Sequence, residues 1–177
     1  MSKQELQERA LKAGGVSYEE SLQATQMVPT MFERMGQVDG CQELSRLFYN
    51  RVFDDSDAVW FLNIFSSSTK EEAIENQYLF FAQTFGGPDL YRQKKGKYTR
   101  LVGRHANYGI GHRAADHWVK HMKAAIEEHS HLKDDQQAKD ALYQYFQYTA
   151  HYIVAASDYM RPDQLSGGTA IDAGRIW

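Results

Sequence analysis

A single cysteine, Cys41, rules out an intramolecular disulfide framework and any thiolate cluster around a metal. It follows 36-GQVDG-40 in an apolar-periodic run, the setting of a reduced, half-buried helix residue. Only three prolines occur, and no Pro-rich or repetitive tract breaks the chain. No apolar run is long enough to span a bilayer. The opening 1-MSKQELQERALKAGG-15 has no apolar signal core, and Glu5 and Glu8 run against an acid-poor transit peptide. The expectation is a soluble, reducing, cytoplasmic setting with no membrane partner. Charge is balanced, 20 Lys plus Arg against 23 Asp plus Glu, so no strong field invites nucleic acid. The one basic stretch, 92-RQKKGK-97 with Arg100 and Arg104, reads as a solvated loop or as a clamp for a carboxylate or phosphate.

Period-two alternation is missing throughout, which excludes half-buried strands. H-E-x-x-H, the P-loop, a strand-linked G-x-G-x-x-G and the EF-hand loop are all missing too. A di-iron carboxylate bundle requires two Glu-x-x-His motifs, and the sequence does not carry two. What remains is one domain's worth of chain, 177 residues, rich in aromatics: 11 Tyr, 9 Phe and 3 Trp. Such rings fill cores, and they also wall flat cofactors.

The pattern is all-α. Residues 3–12 predict a short helix stopped by Gly14 and Gly15, and 17–29 predict another that opens near Ser17. A turn at Met31–Met35 ends at Gly36, and 41–53 carries helical periodicity until Asp54 and Asp55 break it. Residues 58–65 allow one or two turns. Thr69 and Glu72 form a capping box for a helix over 70–85, whose wide inward face holds Ala73, Ile74, Gln77, Tyr78, Phe80, Phe81 and Phe85. Residues 86–88, Gly-Gly-Pro, end it. Residues 89–111 are irregular, with a short helical piece near Arg100–Ala106. Long helices follow over 113–130 and 136–157. An irregular segment of this length in a compact domain is often functional.

Seven histidines are present. His117 and His121, four apart on one helix face beside Asp116, have a zinc pair's spacing, but polar positions on an amphipathic helix explain them more simply. His129, His131 and His151 read the same way. His105 differs, because it lies among apolar and glycine residues in the irregular segment. Periodicity leaves it open as a hydrogen-bonded packing residue or a ligand.

Five segments taken together carry a family pattern: 47-LFYNRVFDD-55, 64-IFSSSTKEEAIENQYLFFAQTFGGPDLY-91, 99-TRLVGRHANYGIG-111, 113-RAADHWVKHM-122 and 143-YQYFQYTAHYIVAA-156. The Phe-Gly-Gly-Pro turn, the Arg104–His105 pair and Trp118, thirteen residues beyond that histidine, form an ordered set. Over residues 30–156 the chain resembles the truncated (two-on-two) haemoglobins of group II, in particular plant-type members with an N-terminal extension. The resemblance implies a two-over-two helical sandwich around haem b. It divides the chain into a helical extension (1–28), a globin domain (29–157) and a partly disordered tail (158–177).

By the same resemblance, His105 is the iron ligand, and its other ring nitrogen bonds a backbone carbonyl, with Leu101 the candidate. Arg104 and Tyr91 fall on propionate-contact positions, with Lys94, Lys95 and Arg100 nearby. Tyr49, Gln77 and Trp118 are the ligand-stabilising donors. Phe65, Ala73, Phe80 and Phe81 complete the pocket, and Ala73 stands where many globins carry a distal histidine. The implied ligands at a five-coordinate iron are oxygen, nitric oxide and carbon monoxide. Two classes stay open. One is nitric oxide dioxygenation or related redox chemistry with an external reductase; the other is a non-enzymatic carrier or sensor. A haem-free helical interaction module is the remote third, and monomer and homodimer are both compatible.

Overall fold

The computed structural model describes residues 1–65, 68–96 and 110–159. The described residues form helices joined by short turns, with no strand among them. In chain order these are α1 (Lys3–Gly14), α2 (Tyr18–Ser21), α3 (Gln23–Gln26), α4 (Met31–Arg34), α5 (Gln37–Asp54), α6 (Val59–Leu62), a 3-10 turn (Asn63–Phe65), α7 (Lys70–Thr84), α8 (Leu90–Lys95), α9 (His112–Glu128) and α10 (Gln136–Ser157). No helix among the described residues is long and apolar enough to cross a membrane. The helical piece expected near Arg100–Ala106 and nearly all of the expected tail lie outside the described residues.

Two helix pairs build the core: α5 crosses α7, α9 packs along α10, and α5 joins the pairs by also contacting α9. The three most N-terminal helices lie on α10. Gln147 Nε2 donates to the Gly14 carbonyl at 3.1 Å. Gly14 approaches His151 so closely that a Cβ would stand 2.9 Å from its ring.

Local chemistry sets most boundaries. Ser2, Ser17 and Thr69 each accept from the backbone N–H three residues on, and the glutamates there return the bond, closing three capping boxes. Gly15, at φ 75°, ends α1 in the left-handed region where a Cβ is penalised. Three boundaries differ from the sequence reading. The helix expected over 17–29 is two short helices, α2 and α3. The basic stretch read as a loop is α8, where Lys94 pairs with Glu75 at 2.7 Å. The helix expected from Cys41 begins at Gln37, so Gly40 lies inside it. Gly40 is there because α4 and α5 meet in a tight corner: a Cβ would stand 1.5 Å from the Met35 carbonyl oxygen.

That corner also corrects Cys41. The thiol is fully buried rather than half-buried, with its sulfur 3.5 Å from that of Met35. Burial pushes it up to about 12, so the thiolate is not populated at neutral pH.

His129 and His151 are a second correction, since both are buried rather than on a polar surface. A loop after α9 turns His129 inward under α5. Its Nε2 donates to the Gly40 carbonyl at 2.8 Å, while its Nδ1 accepts from the backbone N–H groups of His131 (3.2 Å) and Leu132 (3.3 Å). A proton on Nδ1 would face two donors, so the fold requires the neutral ring. His151 Nε2 lies 2.9 Å from Asp116 and its Nδ1 lies 2.7 Å from His112 Nδ1. Burial holds both imidazoles below the ordinary value of 6.5.

A depressed imidazole pKa means that the unfolded chain binds more protons just below that value. The stability from neutral burial is therefore full above 6.5 and is lost as pH falls through the folded-state values. We expect the thermal midpoint to drop as pH is lowered from about 7.5 to about 5.5, well above the carboxylate range. A flat or rising midpoint across that interval, measured by circular dichroism, would contradict the assignment.

Candidate functional site

Five elements bring the sequence-predicted positions inward. Tyr49 comes from α5, Phe65 from the 3-10 turn, Ala73, Gln77, Phe80 and Phe81 from α7, Tyr91 from α8 and Trp118 from α9, and all are buried. On α7 the spacing 73, 77, 80, 81 places these side chains on one helix face, as the inward stripe requires. Tyr78, expected on that stripe, is only half-buried, because it turns toward the flank. Asn76, not expected there, is buried.

Aromatic contacts link these positions into two groups. In the first, Phe65 meets Tyr49 edge-on (5.8 Å between centroids), Tyr49 meets Phe48 (4.9 Å), and Phe48 meets Trp118 (5.0 Å). The run continues through Phe146 of α10 to Phe81, at 5.2 and 5.6 Å. In the second, Phe80 and Tyr91 stand nearly perpendicular at 5.5 Å, tying α8 to α7. Such edge-to-face pairs fix ring orientation as well as burying area. Phe48 and Phe146 were not singled out as site residues. Each lies on its helix's apolar stripe, where a ring bridging two functional positions cannot be told from ordinary core.

Gln77 is the anomaly in this apolar setting. It is 2% exposed, and neither its amide oxygen nor its amide nitrogen has a hydrogen-bond partner. Neighbouring Asn76 is also buried, with its Oδ1 unmatched. A buried, unmatched polar group costs about 1–3 kcal/mol, so an amide with both ends unmet calls for a reason. Ser45 of α5, at the α5–α7 contact, shows the usual outcome, with its hydroxyl donating to the Ile74 carbonyl at 2.9 Å.

His105, Arg104 and Leu101 lie outside the described residues. The other six histidines do not, and each has a partner elsewhere in the fold. His117 and His121 bond Asp55, His112 and His151 bond each other, His129 bonds Gly40, and His131 bonds Ser130. His117 and His121 are thus partly enclosed and shared with a carboxylate from α5's end, not the solvated polar positions that helix spacing indicated.

Comparison with known proteins agrees with the all-helical fold. The family model for bacterial-like globin matches residues 30–153. A two-on-two hemoglobin-3 of Arabidopsis thaliana is 39% identical over 155 residues, 88% of this chain and 85% of the relative. A group 2 truncated hemoglobin 3-1 of Lotus japonicus is 42% identical over 125 residues, 71% of each chain. Among solved structures, the hemoglobin of Chloroflexus aurantiacus superposes with a TM-score of 0.62 at 32% identity, covering 71% of this chain and 98% of that one. A hemoglobin of Thermobifida fusca gives 0.61 at 30% identity, covering 71% and 96%. The protein is therefore a member of the bacterial-like, truncated (two-on-two) haemoglobin family, whose function is the haem-based binding of small ligands such as oxygen.

Proposed function

We propose that this chain holds haem b with His105 as the iron ligand, and that Tyr49, Gln77 and Trp118 stabilise a diatomic ligand on the opposite side. The observation that carries the reading is the Gln77 amide, buried with both polar ends unmet. The residues fit the group: an apolar, aromatic enclosure suits a flat macrocycle, and the buried amide is a donor kept dry for use. When bound, haem would supply an iron able to take oxygen, nitric oxide or carbon monoxide. The chain's own part is to exclude water and aim donors. Phe65, Phe80 and Phe81 shut the site, and Ala73 adds no side chain able to compete for the iron. Tyr49, Gln77 and Trp118 lie on α5, α7 and α9, so the donors would approach the ligand from different helices. Tyr91 and Arg104 are assigned to the propionates.

Donors held in a dry site strengthen contacts to a ligand that carries partial negative charge. That favours slow release of oxygen, with turnover of nitric oxide to nitrate if an external reductase resupplies electrons. Consumption of nitric oxide over many turnovers with a reductant distinguishes this from carriage or sensing.

The Gln77→Leu variant tests the reading through two opposite effects. Leucine keeps the volume and removes the unmet amide, so the haem-free protein should gain about 1 kcal/mol or more in unfolding free energy. In the haem-loaded protein, loss of one donor should speed oxygen dissociation up to about tenfold, the equivalent of 1.4 kcal/mol. Stopped-flow release rates equal to those of the unmodified protein would remove Gln77 from the donor set.

A further inference from the structure

Where α9 meets the end of α5, a second group of ligating side chains converges. Asp55, one residue past the end of α5, points its Oδ2 at both His117 Nε2 and His121 Nε2, each at 2.7 Å. The three ligand atoms lie within 4.8 Å of one another. Asp55 and His117 are 62 positions apart in sequence, so only the fold brings the carboxylate to the pair. We infer that Asp55, His117 and His121 form a binding site for a divalent transition cation of the zinc type, separate from the haem.

The donor set is right for such an ion. Two imidazole nitrogens and one carboxylate oxygen suit zinc and its neighbours, whereas calcium and magnesium prefer all-oxygen shells. Tetrahedral zinc, with bonds near 2.0–2.1 Å, would set neighbouring ligand atoms about 3.3 Å apart. The present 2.7 Å is a hydrogen-bond separation, so the ligands must part by about half an ångström. All three side chains are enclosed but not fully buried, and each is therefore able to move that far.

The imidazoles are also held in place from behind. His117 stands edge-on to Phe61 (4.7 Å) and lies beside Trp60 (5.4 Å), over which the Arg113 guanidinium also sits at 4.0 Å. His121 lies 5.9 Å from Phe61, and the two imidazoles are nearly perpendicular at 4.8 Å. Aromatic support of this kind orients ligand nitrogens before any ion arrives. An open cleft of about 420 Å³, bordered by Asp55, Asp57, Arg113, His117 and Lys120, provides an entry path and leaves a fourth position for water.

Glu43, His129 and His131 form a comparable cluster, but it is already committed. His129 uses Nε2 on the Gly40 carbonyl and Nδ1 on two backbone N–H groups, which leaves no lone pair for a metal. In the Asp55 cluster both Nε2 atoms face only the carboxylate that would share the ion.

The ligands come from two distant elements, so the folded chain binds far better than the unfolded one. Zinc should therefore raise the unfolding midpoint. The experiment uses the tag-free, haem-loaded full chain, with zinc sulfate as the probe. Equilibrium dialysis with elemental analysis should find one zinc per chain beyond the haem iron, and zinc-edge X-ray absorption should show imidazole scattering. The double variant H117A/H121A should bind at least about tenfold more weakly and lose the zinc-dependent rise in midpoint, while H131A keeps both. If the double variant does not fold, the unmodified protein still decides: zinc should protect His117 and His121, and not His131, from carbethoxylation in peptide maps. No zinc uptake, no imidazole scattering, equal zinc affinity in a folded double variant, or no protection would each overturn the site.

Discussion

Gly40→Ala should leave little folded protein, although helix propensity alone says the opposite. Inside a helix, alanine is worth about 1 kcal/mol more than glycine. The site reverses that sign by a wide margin. The added Cβ would stand 1.5 Å from the Met35 carbonyl oxygen, a backbone atom that cannot swing aside as a flexible side chain would. Relief requires the α4–α5 corner to open, and that corner carries several other contacts. The Gly40 carbonyl is the acceptor for buried His129, and Cys41 and Met35 pack sulfur to sulfur beside it. A cost of about 4 kcal/mol or more follows, equivalent to roughly 10 °C or more in thermal midpoint for a chain of this size. Gly15→Ala is the control. Nothing lies within 4 Å of its added Cβ, so only the left-handed φ of 75° is penalised, at about 1–2 kcal/mol. A Gly40→Ala protein that melts within a few degrees of the unmodified chain would show that α5 can move without loss.

The same corner shows where sequence reading stops. Capping boxes at Thr69 and Ser17, the stripe on α7 and the limits of α10 rest on near neighbours in sequence, and all of these are legible there. Gly40 reads locally as a helix breaker, because the reason for it is a backbone crossing from another element. Histidines show the limit more sharply. His129, His151 and the His117–His121 pair share one sequence appearance, polar positions on amphipathic surfaces. Their surroundings differ completely, through Gly40, through Asp116 and His112, and through Asp55. None of those partners on another element is predictable from helix periodicity. The burial of Tyr49, Gln77 and Trp118 follows from apolar stripes, but a shared role for them is implied by the family pattern alone, since spacing cannot separate a donor from a core residue.

His105→Gly should abolish the histidine-ligated haem spectrum. The other histidines are already committed, which supports His105 beside the resemblance. Iron of this kind takes a neutral imidazole, and the chain has seven histidines to offer. His129 has both nitrogens engaged by backbone, and His151 is pinned between Asp116 and His112. His117 and His121 face Asp55, and His131 sits at the surface beside Ser130. Recruiting any of the buried ones would break bonds that each contribute about 1 kcal/mol and strand their partners at greater cost. Among these five histidines no free substitute is therefore at hand when the His105 ring is removed. The glycine variant should bind haem weakly, with a shifted Soret band, and added imidazole should restore the original band by standing in for the missing side chain. Circular dichroism separates loss of ligation from loss of fold, because α5, α7, α9 and α10 do not include this position. A His105→Gly protein that keeps the parent spectrum without imidazole would transfer the iron to another residue and end the assignment.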